Sequence, residues 1–371
     1  MILVTRTSLV RRIPIRRGWL PVLLVSVVLV ATACSSGGGN AASSANGSTS
    51  VEKPNLTVTY GTNSPSAAPL WLAVDEGIFA KHGLNVKAVL ATSNIGALAV
   101  VSGGADVFLG EAATSFQAVA SGSPIEIIGN LRILNDFKLY VSPSITSASQ
   151  LKGKALAISA TGDGTDVSTR TAMDELHQSM DGITLLPTGT SASRLSALVS
   201  GKVAGTLLTE PTATAAAKAG MRLLLDQTKE PFTGSSMTIK KSFGEQDPNT
   251  VMAFLESMVE AVKYLQDPAN EQTAINDIAK HTSSAPTAAA TVLGYKTYSA
   301  PGGLVMDPTP NAPAAQAILD GLKSQDPARF NKLTFDQVFN STFTQKLRDS
   351  GFLQQTWGSA LNSSAQPSPS S

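Results

Sequence analysis

A degenerate internal repeat constrains this chain more than any other feature. Val101-Ser-Gly-Gly-Ala-Asp-Val-Phe-Leu-Gly-Glu-Ala-Ala113 returns about a hundred residues later as Val199-Ser-Gly-Lys-Val-Ala-Gly-Thr-Leu-Leu-Thr-Glu-Pro211. In each copy an apolar helical run ends at Val-Ser-Gly, a short apolar strand follows, and a Glu (Glu111, Glu210) stands where the strand runs out. Two copies rather than many argue for two lobes built on one plan, not for a solenoid. If the lobes face each other, the two Glu-bearing loops meet in a cleft.

Charge needs dividing by region. Residues 1–33 carry Arg6, Arg11, Arg12, Arg16 and Arg17 and no acid, so removing them takes the formal net charge from +1 to −4. A mildly acidic body offers no footprint for nucleic acid. The basic end reads as an export signal: a positive start, an apolar run from Trp19 to Val30, then small residues up to Cys34. That run suits a secretory leader and is shorter than the ~18 residues of a membrane span. Ala31-Thr-Ala-Cys34 resembles a bacterial lipobox, with Ala31 where Leu or Val is usual, so Cys34 is expected to be lipidated. The Ser/Gly/Ala-rich stretch after it has the composition of a tether. Cys34 is the only cysteine, which excludes an internal disulfide, a thiolate metal cluster and Cys-based catalysis in the body.

Hydrophobic periodicity then gives β-α-β-α-β-α-β from Leu56 to Gly129, the grammar of an open, mainly parallel sheet. The pattern changes at Phe137 to Val141 and the same order of elements begins again at Leu151-Lys-Gly-Lys154. After Asp226 a strand is expected at Ser236 to Ile239. Asp247-Pro248 then opens the strongest helix, with Asp247 as N-cap, Pro248 at the first turn, and Val251, Phe254, Leu255, Met258, Val259, Val262 and Leu265 on one stripe. Further helices are expected over 270–280, 313–324 and 335–350, packed on the first lobe.

Pro69-Leu-Trp-Leu-Ala-Val-Asp-Glu-Gly-Ile-Phe-Ala-Lys-His-Gly-Leu-Asn-Val86, Leu151-Lys-Gly-Lys154, Leu208-Thr-Glu-Pro211 and Asp247-Pro248 with its helix form an ordered series. The series resembles the periplasmic solute-binding proteins of ABC importers in the nitrate, sulfonate, taurine and thiamine-precursor superfamily, from about residue 56 to 354. Where the family's second copy commonly has Asp, this chain has Ala204; the first copy keeps Asp106, expected to stabilise a turn. The resemblance implies an α/β, two-lobed periplasmic-binding-protein fold of type II, with two crossovers and a ligand cleft between the lobes. It divides the chain into a leader (1–33), tether (34–53), first lobe (54–140 and 232–355), second lobe (141–231) and disordered tail (356–371). It also implies an extracytoplasmic monomer anchored to the cell membrane through Cys34, with a small-molecule ligand, a permease and an ATPase as partners and no cofactor.

Ligands of such folds sit outside the carboxyl ends of the strands, at helix N-termini. Here those ends hold Asn63, Ser64, Ser93, Asn94, Glu111, Thr161, Asp163, Thr165 and Glu210, with Trp71 bordering them. One helix N-terminus contributes roughly 0.3–2 kcal/mol, and micromolar affinity takes about 8 kcal/mol, so loops from both lobes must converge. Each residue also has a structural reading: Asn63, Ser93, Asn94, Asp163 and Asp166 as helix caps, Trp71 as core, and the two Glu as ties to the hinge backbone. Glu111, Asp163 and Glu210 together would repel a bare anion, and these loops carry no Lys or Arg, so the ligand is expected to bring a donor such as an amine or aminopyrimidine. His82, His177 and His281 are scattered, His82 and His177 on helix faces that default to solvent, and hydrolase, metalloprotease and Walker motifs are absent. The alternatives are a ligand-binding surface sensor and a pyrimidine-synthesis enzyme of the same superfamily, whose Cys/His-rich site this body cannot build.

Overall fold

The computed structural model describes residues 50–363. The leader, Cys34, most of the tether and the chain after 363 lie outside the described residues.

The strands are β1 (Asn55–Tyr60), β2 (Asn85–Leu90), β3 (Val107–Gly110), β4 (Ile125–Leu134), β5 (Lys138–Val141), β6 (Ala155–Ile158), β7 (Thr184–Pro187), β8 (Gly205–Leu208), β9 (Arg222–Asp226) and β10 (Pro231–Lys240). Between the first strands lie α1 (Ala68–Asp75), α2 (Ile78–Lys81), α3 (Ser93–Ser102) and α4 (Ala112–Ala120); α5 (Gly164–Glu175), α6 (Ser191–Val199) and α7 (Thr212–Lys218) serve the second set. After β10 come α8 (Lys241–Gln246), α9 (Pro248–Gln266), α10 (Glu271–Thr282), α11 (Ala289–Ser299), α12 (Ala312–Gln325), α13 (Pro327–Phe330), α14 (Phe335–Val338), α15 (Thr342–Asp349), α16 (Phe352–Trp357) and α17 (Ala360–Ser363). No helix among the described residues is long and apolar enough to cross a membrane.

Two five-stranded sheets share one plan, ordered β2-β1-β3-β10-β4 and β7-β6-β8-β5-β9. In the first, β1 runs parallel to β2 and β3, and β10 lies antiparallel between β3 and β4. In the second, β6 runs parallel to β7 and β8, and β5 lies antiparallel between β8 and β9. The repeat seen in the sequence is therefore β3 and β8, the central parallel strand of each sheet. Even the entry bond repeats: Asp106 N–H donates to Thr57 O and Ala204 N–H to Ala155 O, each at 2.8 Å. Only the first copy adds a side chain, with Asp106 accepting from the Thr57 amide at 2.8 Å and from Lys53 Nζ at 2.5 Å.

The chain crosses from β4 to β5 and returns from β9 to β10, and the crossovers are laced together by Asn135 N–H to Glu230 O (2.9 Å) and Gln227 N–H to Phe137 O (3.1 Å). The stripe of α9 is buried as the periodicity requires, in one core with Leu70, Trp71, Phe79 and Met237.

Four expectations change. Asp247 makes no capping bond; the free amides of α9 are taken by Glu52, whose carboxylate accepts from Asn249 N at 3.2 Å and Thr250 N at 2.8 Å. Glu52 and Lys53 thus belong to the folded body rather than to the tether. The helix expected over 335–350 is broken, because buried Phe339 is extended against Ile127 at the edge of β4 and the Asn340 amide donates to Ile127 O at 2.9 Å. Helix continues past 355 because Trp357 joins the first lobe's core.

Candidate functional site

Near the end of β4 stands a buried arginine, Arg132. The guanidinium is 2% exposed. It donates to Glu111 Oε1 through Nη2 and to Asp136 Oδ1 through Nη1, each at 2.7 Å, and to Leu134 O at 3.2 Å, with the Phe232 ring 4.9 Å below its centre. Gly234 is its register partner on β10, and a Cβ there would come within 2.3 Å of Nη2, so only glycine lets the group lie across the strand. Asp136, in the crossover, also accepts from the Tyr298 hydroxyl on α11. One polar chain thus runs Tyr298, Asp136, Arg132, Glu111.

Burial, chiefly, pushes the Glu111 carboxyl up to about 7, against the opposing pull of Arg132 and with help from Asp136 and Asp163. Burial alone would lower Arg132; Asp136 and Glu111 outweigh it and raise its affinity for its proton.

The second lobe meets this chain at Glu111. A Cβ on Gly164, the first residue of α5, would lie 2.6 Å from Glu111 Cγ, and the Gln117 side chain on α4 donates to Gly162 O. Val167 packs beside Ala112, Ala113, Phe116, Ala315 and Ile318 of the first lobe. Behind this contact a cavity of about 230 Å³ lies between the lobes, with Arg132, Asp136 and Tyr298 on one side, Lys138 and Glu210 on the other, and Asn135 and Thr228 of the crossovers between them. Lys138 Nζ is 3.4 Å from Glu210 Oε1.

Several buried atoms lack any hydrogen-bond partner within the protein, among them Arg132 Nε, Glu111 Oε2, Asn130 Oδ1, Thr114 Oγ1 and Ser236 Oγ. Ser236 is the register partner of both Asn130 and Gly110, so Ser236 and Asn130 are neighbours on the sheet. Buried polar groups are otherwise nearly always satisfied; of these residues Arg132 is the one that lines the cavity.

The sequence-derived residues divide accordingly. Glu111 joins the network, Glu210 lines the cavity, and Ser64 is a buried cap of the turn after β1, accepting from Ser66 N at 3.3 Å. Glu210 also ties down its own helix, accepting from Thr214 N at 3.1 Å and Thr214 Oγ1 at 2.7 Å. Asp163 is the N-cap of α5, accepting from the amides of Thr165 (2.9 Å) and Asp166 (3.2 Å), and Thr165 Oγ1 accepts from Ser159 N at 2.8 Å. Asn63, Asn94 and Thr161 are exposed and Ser93 half-buried. Neither Ser93 nor Asn94 caps α3, whose N-cap position is Thr92. Trp71 is wholly buried, edge-on to Tyr60 and stacked on His281 at 4.8 Å, and so belongs to the core.

The cations were missed. Arg132 and Lys138 lie in strands beside the crossover rather than in the loops, and Arg194 on α6 is buried beneath the second lobe's loops, donating to Gly189 O at 2.7 Å and Leu207 O at 3.3 Å. An Arg between Leu131 and Ile133 in a strand pattern was the available signal, since a buried charge must be paired.

A model of the family described as NMT1/THI5 like matches residues 64–271. No curated protein sequence matches the chain. Among solved structures, the alkanesulfonate-binding protein SsuA from Xanthomonas axonopodis pv. citri, bound to MOPS, superposes with a TM-score of 0.66 at 18% identity, covering 78% of this chain and 99% of its own. The aliphatic sulphonate binding protein SsuA from Escherichia coli gives 0.63 at 19% identity over 78% and 92%. The periplasmic nitrate-binding protein NrtA from Synechocystis PCC 6803 gives 0.67 at 13% identity over 85% and 92%. The described chain thus has the periplasmic-binding-protein fold.

Proposed function

The chain belongs to the NMT1/THI5-like family, and on that premise we propose that it is the extracytoplasmic substrate-binding lipoprotein of an ABC importer. It captures a small polar ligand between its lobes and presents it, as a monomer tethered through lipidated Cys34, to a permease coupled to an ATPase. The observation that carries this reading is the cavity at the crossovers, lined by charged groups from both lobes, Arg132, Asp136, Lys138 and Glu210. At about 230 Å³ it lies below the ~300–1,000 Å³ of sites for drug-sized ligands.

The ligand class follows from charge. The solved neighbours are named for sulfonate, sulphonate and nitrate. Here Arg132 is already held by two carboxylates, so a bare anion must compete with both. A ligand carrying an N–H donor finds carboxylate acceptors on the cavity wall in Asp136 and Glu210, so an amine or aminopyrimidine, with any acidic group held by backbone N–H, suits this site best.

A thermal-shift panel on the full-length protein tests this with taurine, alkyl sulfonates, nitrate, aminopyrimidines and aromatic acids. A ligand at 100 times its Kd stabilises by about 2.7 kcal/mol. Stabilisation by amino compounds is expected. Tight binding of nitrate or a simple alkyl sulfonate, with no amino compound bound, overturns the ligand class; turnover of any panel member overturns the binding role. Permease and ATPase genes beside this one would favour import over sensing, and Cys34→Ser is expected to abolish labelling by radioactive palmitate.

A further inference from the structure

Away from the cleft, two helices of the first lobe present matched pairs of side chains to each other. On α1, Trp71 and Asp75 are four residues apart and share a face; on α10, Asp277 and His281 do the same. The Trp71 ring stacks on His281 at 4.8 Å and 10°, which fixes the imidazole plane. His281 Nε2 is thereby aimed between two carboxylates, 2.9 Å from Asp75 Oδ2 and 3.5 Å from Asp277 Oδ1. One ligand atom from each of Asp75, Asp277 and His281 lies within 4.8 Å of the other two.

Asp277 is 6% exposed, and its Oδ2 has no hydrogen-bond partner within the protein. Lys280 Nζ sits 2.5 Å from Asp75 Oδ2, but that side chain is 63% exposed and free to swing into water. Lys280 and His281 together answer Asp75, not the buried Oδ2 of Asp277.

We propose that Asp75, Asp277 and His281 form a divalent transition-metal site of the zinc class that clips α1 to α10. Zinc bonds of about 2.0–2.1 Å in a tetrahedron place ligand atoms about 3.3–3.4 Å apart, and the observed 2.9 and 3.5 Å bracket that edge. One imidazole nitrogen with two carboxylate oxygens suits zinc better than calcium or magnesium, which favour oxygen-only shells. Asp75 and His281 are each about a quarter exposed, so an ion has a path in and a fourth position for water. None of the three residues lines the cavity between the lobes, so the ion would tie residues two hundred positions apart without touching the ligand.

The test uses untagged full-length protein, stripped with chelator and titrated with zinc chloride by calorimetry and thermal melting. One equivalent is expected to bind with a dissociation constant at or below about 10 µM and to raise the melting temperature, with no rise from magnesium. Asp277→Asn and His281→Gln should each weaken binding at least ~10-fold. His82→Gln, which removes the separate imidazole between Glu256 and Glu260, should leave it unchanged. Lys280→Gln keeps all three ligands and removes the competing ammonium, so it should bind zinc at least as tightly as wild type even if Asp277→Asn fails to fold. No binding by wild type, equal binding by Asp277→Asn and His281→Gln, or weaker binding by Lys280→Gln would each overturn the proposal.

Discussion

Arg132 occupies a place where an isolated charge could not survive, and Glu111 and Asp136 answer it. Removing one member of a buried ion pair costs about 3–5 kcal/mol because the partner is stranded. Arg132→Met strands two carboxylates and is expected to lose at least the lower end of that range in urea denaturation, together with ligand binding. Glu111 carries a pH signature: its carboxyl titrates near 7 in the folded protein against 4.5 for the ordinary group. The folded state holds the proton more tightly, so this contribution to stability is full below about pH 4.5, declines as pH rises through 7, and is flat above. Melts of wild type and Glu111→Gln between pH 5 and 8 should show wild type losing about 1–3 kcal/mol relative to the variant across that window. Glu111 was legible in the sequence because the repeat marks it. Its partner was not: Arg132 reaches it from a strand with no local link to the loop, as Tyr298 reaches Asp136 from a helix, and only tertiary packing joins them.

Among the elements, α9 was the most legible, since its apolar stripe lies on one face of nineteen consecutive residues. Its cap was not, because Glu52 arrives from nearly two hundred residues away. A cap is worth about 0.5–2 kcal/mol, so Glu52→Ala should lower stability by about that much while leaving ligand affinity unchanged, as denaturation and binding curves would show. Desolvation opposes ionisation of Glu52, but the amides of Glu52, Thr250 and Asn249 prevail and lower its titration point, so this stabilisation is lost as pH falls below the ordinary carboxylate range. The failed helix over 335–350 teaches the converse. Its periodicity was sound, but buried Phe339 and the amide of Asn340 find partners on β4 that a continuous helix would forgo.

At the scale of the whole molecule, the two lobes touch where Gly164 lies against Glu111. A methyl group there has 2.6 Å of room, less than a contact allows, and the obstacle sits on the opposite lobe. Gly164→Ala is therefore expected to hold the lobes slightly apart, weakening ligand binding at least ~10-fold, about 1.4 kcal/mol, with little loss of melting temperature. Small-angle scattering should show a larger radius that ligand no longer reduces.

The antiparallel strand inside each sheet has a further consequence in time. β10 sits between β3 and β4, so residues near 108 and 127 wait for residues near 238 before the first sheet can close. Closing contacts over such separations is slow, because the intervening chain must be ordered before those contacts form. A ribosome or an export channel therefore delivers about two-thirds of this protein before its first lobe can finish. Until then β3 and β4 remain unzipped edges that a holding chaperone must cover.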